Sequence, residues 1–533
     1  MRLLPSIIIT MSFAILSAFS VSAHADDQRF DVIISGGQIL DGTGGEAVQA
    51  DIGIRDDLIV AVGDLSDASA ANHIDARGKI VSPGFIDLHS HADRQVLEHP
   101  SVSNKVQQGI TTILGGNCGG SPLDLDEFFA TIDQNGAGPN VGILIGHNTV
   151  RKAVMGRENR LASDKEIKEM RSLVGKAMQD GAFGMSTGLK YVPGTYANTE
   201  EVVALSEVVA QAGGFYASHM REEGIGLLPA MDEALEIGRQ ADLPVHISHH
   251  KAVGLISWGK SKESIAKIKE ARASGMDVTL DQYPYTASST NFGVIFPAWS
   301  LAGGREALKE RLADPETRQK IKDGIIHAIK TDRGGGDPAR IQVAVFEDDP
   351  SLNGKTFKQI LEERGVETSI ENTAELAIEL ESRGGGSAIY HAMNEDDVRR
   401  IMQYEMTSVA TDGHGVIMGE GAPHPRNYGT FPRVLGHYVR EDNIITLSDA
   451  IRKMTGLPAS RMGLTDRGLI KTGYFADLVI FDKDKVADKA TFTDSHQLAV
   501  GIDYVLVNGV IAIDKNGYTG ATSGRALRHA AAE

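Results

Sequence analysis

The chain has 533 residues, of which 41% are hydrophobic and 23% are charged, so its composition is that of a folded globular protein rather than a disordered one. Its formal net charge of −18 disfavours nucleic acid and anionic membrane surfaces as partners. After the first 25 residues, no apolar stretch of the sequence has the length of a membrane span.

The first 25 residues have the pattern of a secretory signal peptide. Arg2 provides a basic start, an apolar run covers 7–19, and Ala23-His24-Ala25 is a small-x-small cleavage site. The apolar run is shorter than a comfortable transmembrane span, which argues against the alternative of an uncleaved anchor. We therefore expect a periplasmic or secreted protein with no membrane segment after signal removal.

Short strands are predicted at both ends of the remaining chain. Their apolar residues alternate with polar ones and are interrupted by Gly, Asp and Asn-Gly, which are turn signals. These segments are 30–42, 51–63, 473–482 and 505–512. Because both β-rich ends flank a different middle, we predict one small β-sandwich domain made from 26–83 and 461–533.

The middle of the chain, 84–460, alternates predicted strands with amphipathic helices. The helix predicted at 163–180 begins at Ser163, with Glu166 three residues later, which is the pattern of a capping box. Other helices are predicted at 199–212 and 227–241. The strand candidates are 110–114, 141–145, 184–186, 214–219, 244–249, 278–282, 388–390 and 408–412. About eight such units over about 375 residues predict a (β/α)8 TIM barrel, with an open doubly wound sheet as the alternative.

Residues 286–345 interrupt this alternation. They combine a polar segment, a charged helical pattern at 309–330 and three glycines at 334–336. An insertion at a barrel mouth can close over a site, and the alternative is a solvated decoration without a gating role. We predict a lid insertion at about 286–345.

The first candidate ligands are a His-x-His pair and a cysteine. An apolar run ends in His89-Ser90-His91, and alternation along a strand directs both imidazoles to one face. Cys118 is the single cysteine of the chain, so it is a metal ligand, an apolar filler or a stray thiol. Its glycine-rich surroundings at 115–120 favour a ligand, because glycines allow close approach.

Further candidate ligands close later strands. His219, His249 and Asp412 each end one of the strand candidates. The carboxyl ends of barrel strands meet on one face, so these side chains should converge with the His-x-His pair and the cysteine. His250 then faces away or supports the site from behind. Imidazoles with a thiolate suit zinc.

Seven segments of the chain carry a resemblance to a known family. They are PGFIDLHSH (83–91), GNCG (116–119), STGLKYVPG (186–194), SHMR (218–221), SHHK (248–251), TDG (411–413) and HPR (424–426). In this order they resemble the amidohydrolase superfamily and, within it, the D-aminoacylase (N-acyl-D-amino-acid deacylase) family. The resemblance implies a barrel with a small β-sandwich and a zinc held tightly by Cys118, His219 and His249. It also implies that His89 and His91 form a second, more weakly occupied position.

The resemblance further implies hydrolysis of the amide bond of N-acyl-D-amino acids, or related N-acyl amino acids, to a carboxylate and a free amino acid. Asp412 would carry the proton from the attacking water to the departing amine. Tyr191 or the metal would stabilise the tetrahedral intermediate. Lys251, Tyr283 and Ser289 would bind the carboxylate of the substrate, although Lys251 could be an exposed cation and Tyr283 a packed aromatic.

Several alternatives stay open at this point. Lys152 or Lys190 could be a carboxylated metal bridge, as in dihydropyrimidinase-like relatives, but Cys118 favours the cysteine-ligand branch. The substrate could be a dipeptide or a xenobiotic amide, and Arg426 is a looser candidate for contacting its side chain. The alternative outside enzymes is a binding protein on a retired hydrolase fold, but it predicts an incomplete ligand set. The oligomeric state cannot be read from this sequence.

Overall fold

The computed structural model describes residues 29–530, and the expected signal peptide at 1–25 lies outside them. In chain order the strands are β1 (Arg29–Ile39), β2 (Val48–Arg55), β3 (Leu58–Gly63), β4 (Ser69–Asp75), β5 (Ile80–Pro83), β6 (Phe85–Asp87), β7 (Ile110–Gly115), β8 (Asn140–Ile143), β9 (Ile145–Gly146), β10 (Gly184–Gly188), β11 (Phe215–His219), β12 (Val245–Ile247), β13 (Val278–Gln282), β14 (Ser288–Asn291), β15 (Ile341–Val345), β16 (Ser387–Tyr390), β17 (Thr407–Val409), β18 (Leu478–Phe481), β19 (Ile502–Val507), β20 (Val510–Asp514) and β21 (Gly517–Tyr518).

The α-helices are α1 (Ser103–Val106), α2 (Leu125–Asn135), α3 (His147–Met155), α4 (Asp164–Asp180), α5 (Thr199–Gln211), α6 (Leu227–Ala241), α7 (Ser261–Ala273), α8 (Arg305–Ala313), α9 (Pro315–Thr331), α10 (Phe357–Glu363), α11 (Ile370–Ser382), α12 (Glu395–Gln403), α13 (Arg426–Arg433), α14 (Leu447–Met454) and α15 (Gly456–Met462). A π-helical segment, Val434–Glu441, continues α13. Among the helices of residues 29–530, none is long and apolar enough to cross a membrane.

Strands from both ends of the described chain form one nine-stranded sheet. Its order is β21-β20-β19-β18-β5-β1-β2-β3, with β4 paired to β1. The two chain ends meet where β5 and β18 pair antiparallel. One apolar cluster contains Ile52 and Ile74 from the first part of the chain and Leu478 and Leu506 from the last. The sheet therefore folds around a core to which both termini contribute, which is the small β domain expected from the sequence.

The middle of the chain forms a (β/α)8 barrel, as predicted. Its parallel strands follow the order β6-β7-β8 and β9-β10-β11-β12-β13-β17, and Leu144 separates β8 from β9 within the third barrel strand. The barrel closes beyond the ends of β6 and β17. There the backbone N–H of Asp412 donates to the carbonyl of His89 (2.8 Å), and that of His91 donates to the carbonyl of Gly413 (2.8 Å).

The structure confirms the three helices predicted from periodicity. α4 begins after Ser163, whose side chain accepts from the backbone of Glu166 while the Glu166 carboxylate accepts from the backbone of Ser163. This reciprocal cap satisfies amide groups that a helix start leaves unpaired. α5 and α6 follow and pack in turn, α4 on α5 and α5 on α6, around the outside of the barrel.

The insertion after β13 is larger than predicted. β14, β16 and β15 form a separate antiparallel sheet, which packs with α8 to α11 around its own apolar cluster. The segment 388–390 belongs to β16 in this sheet, so its prediction as a barrel strand was wrong. The inserted unit therefore reaches at least to Tyr390 rather than ending at about 345. An apolar strand of four residues looks the same in either sheet, because its partner is decided far away in the chain.

Candidate metal centre

Side chains from five different strand ends meet at one mouth of the barrel. His89 follows β6, Cys118 follows β7, His219 ends β11, His249 follows β12 and Asp412 follows β17. Three of them have positive φ, 54° at Cys118, 36° at His249 and 48° at Asp412. Side-chain-bearing residues seldom adopt this backbone conformation, and where they do it is often at a functional site. The five side chains converge on this mouth in two groups of potential metal donors that share His249.

The Cys118 sulfur lies at the centre of this cluster. It is 3.3 Å from His89 Nε2, 3.3 Å from His249 Nε2 and 3.5 Å from His219 Nδ1. Two donors on one tetrahedral zinc lie about 3.6 Å apart, because Zn–S and Zn–N bonds are about 2.3 and 2.1 Å. The spacing and the thiolate–imidazole donor set therefore fit zinc. His219 Nδ1 and His249 Nε2 are closer, at 2.6 Å.

Electrostatics favours the metal-binding form of the cysteine. Burial alone would raise the pKa of the Cys118 thiol, but the neighbouring imidazoles of His89, His249 and His219 outweigh burial and hold that pKa well below its ordinary value. The lowered pKa favours the thiolate, which is the form that ligates metals.

Asp412 lies in the same group of potential metal donors as His89, Cys118 and His249. Its Oδ1 is 3.5 Å from His89 Nε2 and 3.1 Å from His91 Nε2, and its Oδ2 accepts from Arg426 Nη1 at 2.7 Å. Burial would raise the pKa of this carboxyl, but Arg426 and the histidines hold it well below its usual range. Asp412 is therefore a carboxylate at neutral pH.

His91 is set apart from the other four expected ligands. Potential metal donors within 4.8 Å of one another form two groups among the described residues: His89, Cys118, His249 and Asp412, and separately His219, Glu223 and His249. His91 belongs to neither, because its Nε2 faces Asp412 and its ring stacks on His414 with centroids 5.3 Å apart. The contact of His91 with the cluster is therefore made through the carboxylate of Asp412.

Asp281, at the end region of β13, supports the histidines from behind and was not singled out in the sequence. Its Oδ2 is 2.7 Å from His246 Nε2 and 3.3 Å from His89 Nδ1, and its Oδ1 accepts from the backbone N–H of His249 at 2.7 Å. Burial opposes its ionisation, but His89 and His246 hold its pKa below the ordinary value. Carboxylates placed in this way orient ligating imidazoles.

The four residues expected to bind substrate all line a cavity of about 850 Å³ over the cluster. Lys251 Nζ lies 2.6 Å from a carboxylate oxygen of Glu223 and 2.7 Å from His249 Nδ1. Lys251 is buried, so it is not an exposed cation. The ring of Tyr283 lies near two cations, 5.5 Å from Lys251 Nζ and 4.8 Å from the Arg426 guanidinium.

Tyr191 and Ser289 form other parts of the same wall. The Tyr191 ring lies 4.7 Å from the His219 ring, and its hydroxyl is 3.0 Å from Thr290 Oγ1. The backbone carbonyl of Ser289 accepts from Arg426 Nη2 at 3.2 Å. Arg426, the looser candidate for contacting a substrate side chain, also lines this cavity, where Asp412 and this carbonyl hold its guanidinium.

Two further charged residues of the site were not predicted from the sequence. Glu223 is 2% exposed, and its Oε1 lies 3.1 Å from His249 Nδ1 as well as 2.6 Å from Lys251 Nζ. Arg333 comes from the insertion, with Nη2 3.5 Å from Glu223 Oε2. Glu223 follows His219 by four residues and could have been found from that spacing. Arg333 has no local signal, because a separate unit carries it to the barrel.

The remaining lysine and histidine candidates lie outside the cluster. Lys152 is exposed on α3, and Lys190 pairs with Glu222 (2.7 Å) and Asp332 (3.1 Å). Neither therefore bridges metals beside Cys118. His250 Nε2 is 2.8 Å from Ser264 Oγ, and burial lowers its pKa to about 3. It is a neutral residue directed away from the ligands, which was one of the two expectations.

The strand ends of this barrel bring together a thiolate, imidazoles and an ionised aspartate. This arrangement defines a metal-dependent enzyme of the (β/α)8 class. The model of the Amidohydrolase family matches residues 72–513. The chain belongs to the amidohydrolase family, and within it to the group that contains the D-aminoacylases.

Individual relatives match over nearly the full chain. D-aminoacylase of Alcaligenes xylosoxydans xylosoxydans is 38% identical, covering 96% of this chain and 100% of that protein. The crystal structure of a D-aminoacylase has a TM-score of 0.80 at 38% identity, covering 94% of this chain and 100% of the other. N-acyl-D-glutamate deacylase from Bordetella bronchiseptica, solved with zinc and a phosphonate mimic of the tetrahedral intermediate, has a TM-score of 0.80 at 34% identity with the same coverage.

Proposed function

We propose that this protein is a zinc-dependent deacylase that hydrolyses N-acyl-D-amino acids to a carboxylate and a free D-amino acid. The observation that carries the proposal is the Cys118 sulfur within 3.5 Å of three imidazole nitrogens, beside the ionised Asp412. The substrate class is supported by the names of the relatives, D-aminoacylase, N-acyl-D-glutamate deacylase and N-acyl-D-aspartate deacylase. The preference for the D configuration is supported by those names alone.

The residues that would hold zinc most tightly are Cys118, His219 and His249, with His89 and His91 forming a second, weaker position. When bound, zinc supplies an activated water and polarises the acyl carbonyl. A complete ligand set with an intact carboxylate argues against a retired, purely binding fold. The distance of His91 from the thiolate cluster is consistent with the weaker occupancy of its position.

The chain's own residues account for proton movement. Asp412 accepts a proton from the attacking water and returns it to the departing nitrogen. Arg426 holds one carboxylate oxygen, which leaves Oδ1 directed toward His89 and His91. Burial raises the pKa of the Tyr191 hydroxyl, so this group stays protonated and can donate to the developing oxyanion beside His219.

Lys251 is the group on this side of the cavity that suits the substrate carboxylate. It is buried beside His249 and already paired with a carboxylate, that of Glu223. A substrate carboxylate would share this ammonium, with the ring of Tyr283 against it. Such charge-assisted contacts position the amide over the metal ligands.

A hydrolysis panel tests the proposal. Purified mature protein with zinc supplied should cleave N-acetyl-D-amino acids much faster than the L enantiomers, dipeptides or unrelated amides. Activity should be lost on chelation and return with zinc. A preference for L substrates or for dipeptides would overturn the assignment of substrate class, and activity that survives complete metal removal would overturn the mechanism.

We also propose that the mature protein is periplasmic or secreted, which rests on the signal-peptide pattern of residues 1–25. Amino-terminal sequencing of the protein from its native host should begin near Asp26. A mature chain that retains residues 1–25 would contradict this.

A further inference from the structure

A second large cleft adjoins the metal cavity. It has a volume of about 1040 Å³ and lies between the barrel and the insertion. The barrel contributes Tyr191 and Val192 from the segment after β10. The insertion contributes the apolar side chains of Val294, Phe296, Leu301 and Leu308. The cleft is therefore larger than an acetyl group requires. Its insertion side combines these apolar residues with the charged side chains of Arg305, Glu347 and Glu381.

The two cavities adjoin each other. Both are lined by Tyr191, Asn291, Val345, Glu347 and Ser387, so these residues stand where the two cavities meet. Tyr191 is anchored on both sides, because its ring packs on His219 and its hydroxyl bonds to Thr290 of the insertion. The boundary between the two cavities therefore includes a residue that touches a candidate metal ligand.

The direction of the substrate follows from where its carboxylate can bind. Lys251 and Tyr283 line the metal cavity and have no part in the second cleft. They lie beside His249 and Arg426, whereas Tyr191 lies beside His219. A substrate whose carboxylate is at Lys251 and whose amide is over the metal ligands directs its acyl group past Tyr191, toward the second cleft.

We propose that the second cleft binds the N-acyl group and that the enzyme prefers medium-length aliphatic acyl chains to acetyl. This inference rests on the proposed function and adds the acyl specificity to it. Each methylene that leaves water for the apolar wall should increase kcat/KM, by up to about fourfold per methylene. An acetyl group has one methyl beyond the carbonyl, so it leaves the cleft to solvent.

A series of N-acetyl, N-butanoyl, N-hexanoyl and N-octanoyl derivatives of one D-amino acid tests this on the zinc-loaded mature protein. We expect kcat/KM to rise from acetyl to hexanoyl by at least tenfold. Two half-buried alanines of the cleft wall are replaced by tryptophan to fill the space. The variants are Ala298→Trp and, on α9, Ala328→Trp. The control is Ala313→Trp, at the exposed end of α8 outside the cleft.

Both cleft variants should lower the hexanoyl-to-acetyl ratio of kcat/KM by about tenfold, while Ala313→Trp should keep the parent ratio. Octanoate should also raise the Tm of the parent but not that of Ala298→Trp or Ala328→Trp, a readout that needs no turnover. A flat or falling chain-length profile overturns the inference, as does a cleft variant that changes the preference for the amino-acid side chain instead. Failure to hydrolyse any N-acyl amino acid refutes the proposed function, and the octanoate shift then decides the cleft separately.

Discussion

Replacing Glu223 removes a buried negative charge from beneath the metal centre. Its carboxylate lies 2.6 Å from Lys251 Nζ, 3.1 Å from His249 Nδ1 and 3.5 Å from Arg333. Burial would raise the pKa of Glu223, but Lys251 and the two histidines His219 and His249 hold it well below the ordinary value. The group is therefore charged, and we expect Glu223→Ala to weaken both the fold and the zinc site.

The size of the loss in stability and zinc affinity depends on which charges remain unpaired once the Glu223 carboxylate is removed. Among residues 29–530, Lys251 has no carboxylate other than Glu223 within 4 Å, whereas Arg333 keeps Asp332 at 3.5 Å. Breaking a buried ion pair costs about 3–5 kcal/mol, because one charge is left without its partner. Loss of a carboxylate that supports a ligating histidine lowers metal affinity by about 10–100-fold. Glu223→Gln should fall between the parent and Glu223→Ala, since its amide oxygen still accepts from Lys251.

The assay is urea unfolding of the metal-free protein together with zinc competition against a calibrated chelator. Glu222→Gln is the matched control, because Glu222 is adjacent in the chain but pairs with Lys190 in a partly exposed position, with its side chain 31% exposed. It should change stability by less than about 1 kcal/mol and leave zinc affinity as in the parent. Glu223→Ala with the parent's zinc affinity and an unfolding free energy within about 1 kcal/mol of the parent would refute the reasoning.

Other changes test separate parts of the site and the fold. Asp412→Asn should retain zinc but lose about 10²–10⁴-fold in kcat, because the amide cannot accept the proton; near-normal turnover would exclude the shuttle role. Cys118→Ala should bind zinc at least about tenfold more weakly, measured by the same chelator competition, and unchanged affinity would remove the cysteine from the ligand set. Lys251→Ala should raise KM for substrates with a free carboxylate much more than for the corresponding amides, and equal effects would contradict its assignment. Burial lowers the pKa of Lys453 to about 8, with Nζ donating to the carbonyl of Tyr404 at 2.5 Å. Between pH 8 and the ordinary lysine pKa of 10.5, Lys453 is protonated in the unfolded chain and neutral in the folded one. The free energy of unfolding of the parent, relative to that of Lys453→Met, should therefore rise by about 3 kcal/mol over this range. A difference between the two proteins that does not change with pH would contradict this.

Local sequence signals predicted the helices and most barrel strands because the physics behind them is local. Ser163 and Glu166 cap α4 through atoms three residues apart, so the boundary is readable without knowledge of the rest of the fold. The strand at 388–390 shows the limit of such signals. Its apolar residues fit any buried strand, and only its pairing with β14 and β15 assigns it to the insertion.

In the site, too, some features are predictable from the sequence and others are not. Cys118, His219, His249 and Asp412 stand at strand ends, and a parallel barrel brings all strand ends to one mouth, so topology alone predicts that they meet. Lys251 was expected to face the substrate, but the structure also pairs it with Glu223. That contact joins residues 28 positions apart, and no periodicity of the sequence encodes it.

The sequence by itself determined the family, the barrel, the β domain made from both ends of the chain and the residues that converge on the metal site, because ordered motifs and strand-end positions carry that information. The tertiary structure decided how those residues are coupled: the thiolate among three imidazoles, the pairing of Asp412 with Arg426, and the arginine that the insertion places against Glu223. These depend on distances of a few ångströms between segments remote in the chain. Such distances are set by packing and by the need to pair buried charges, and neither is written in any local stretch of sequence.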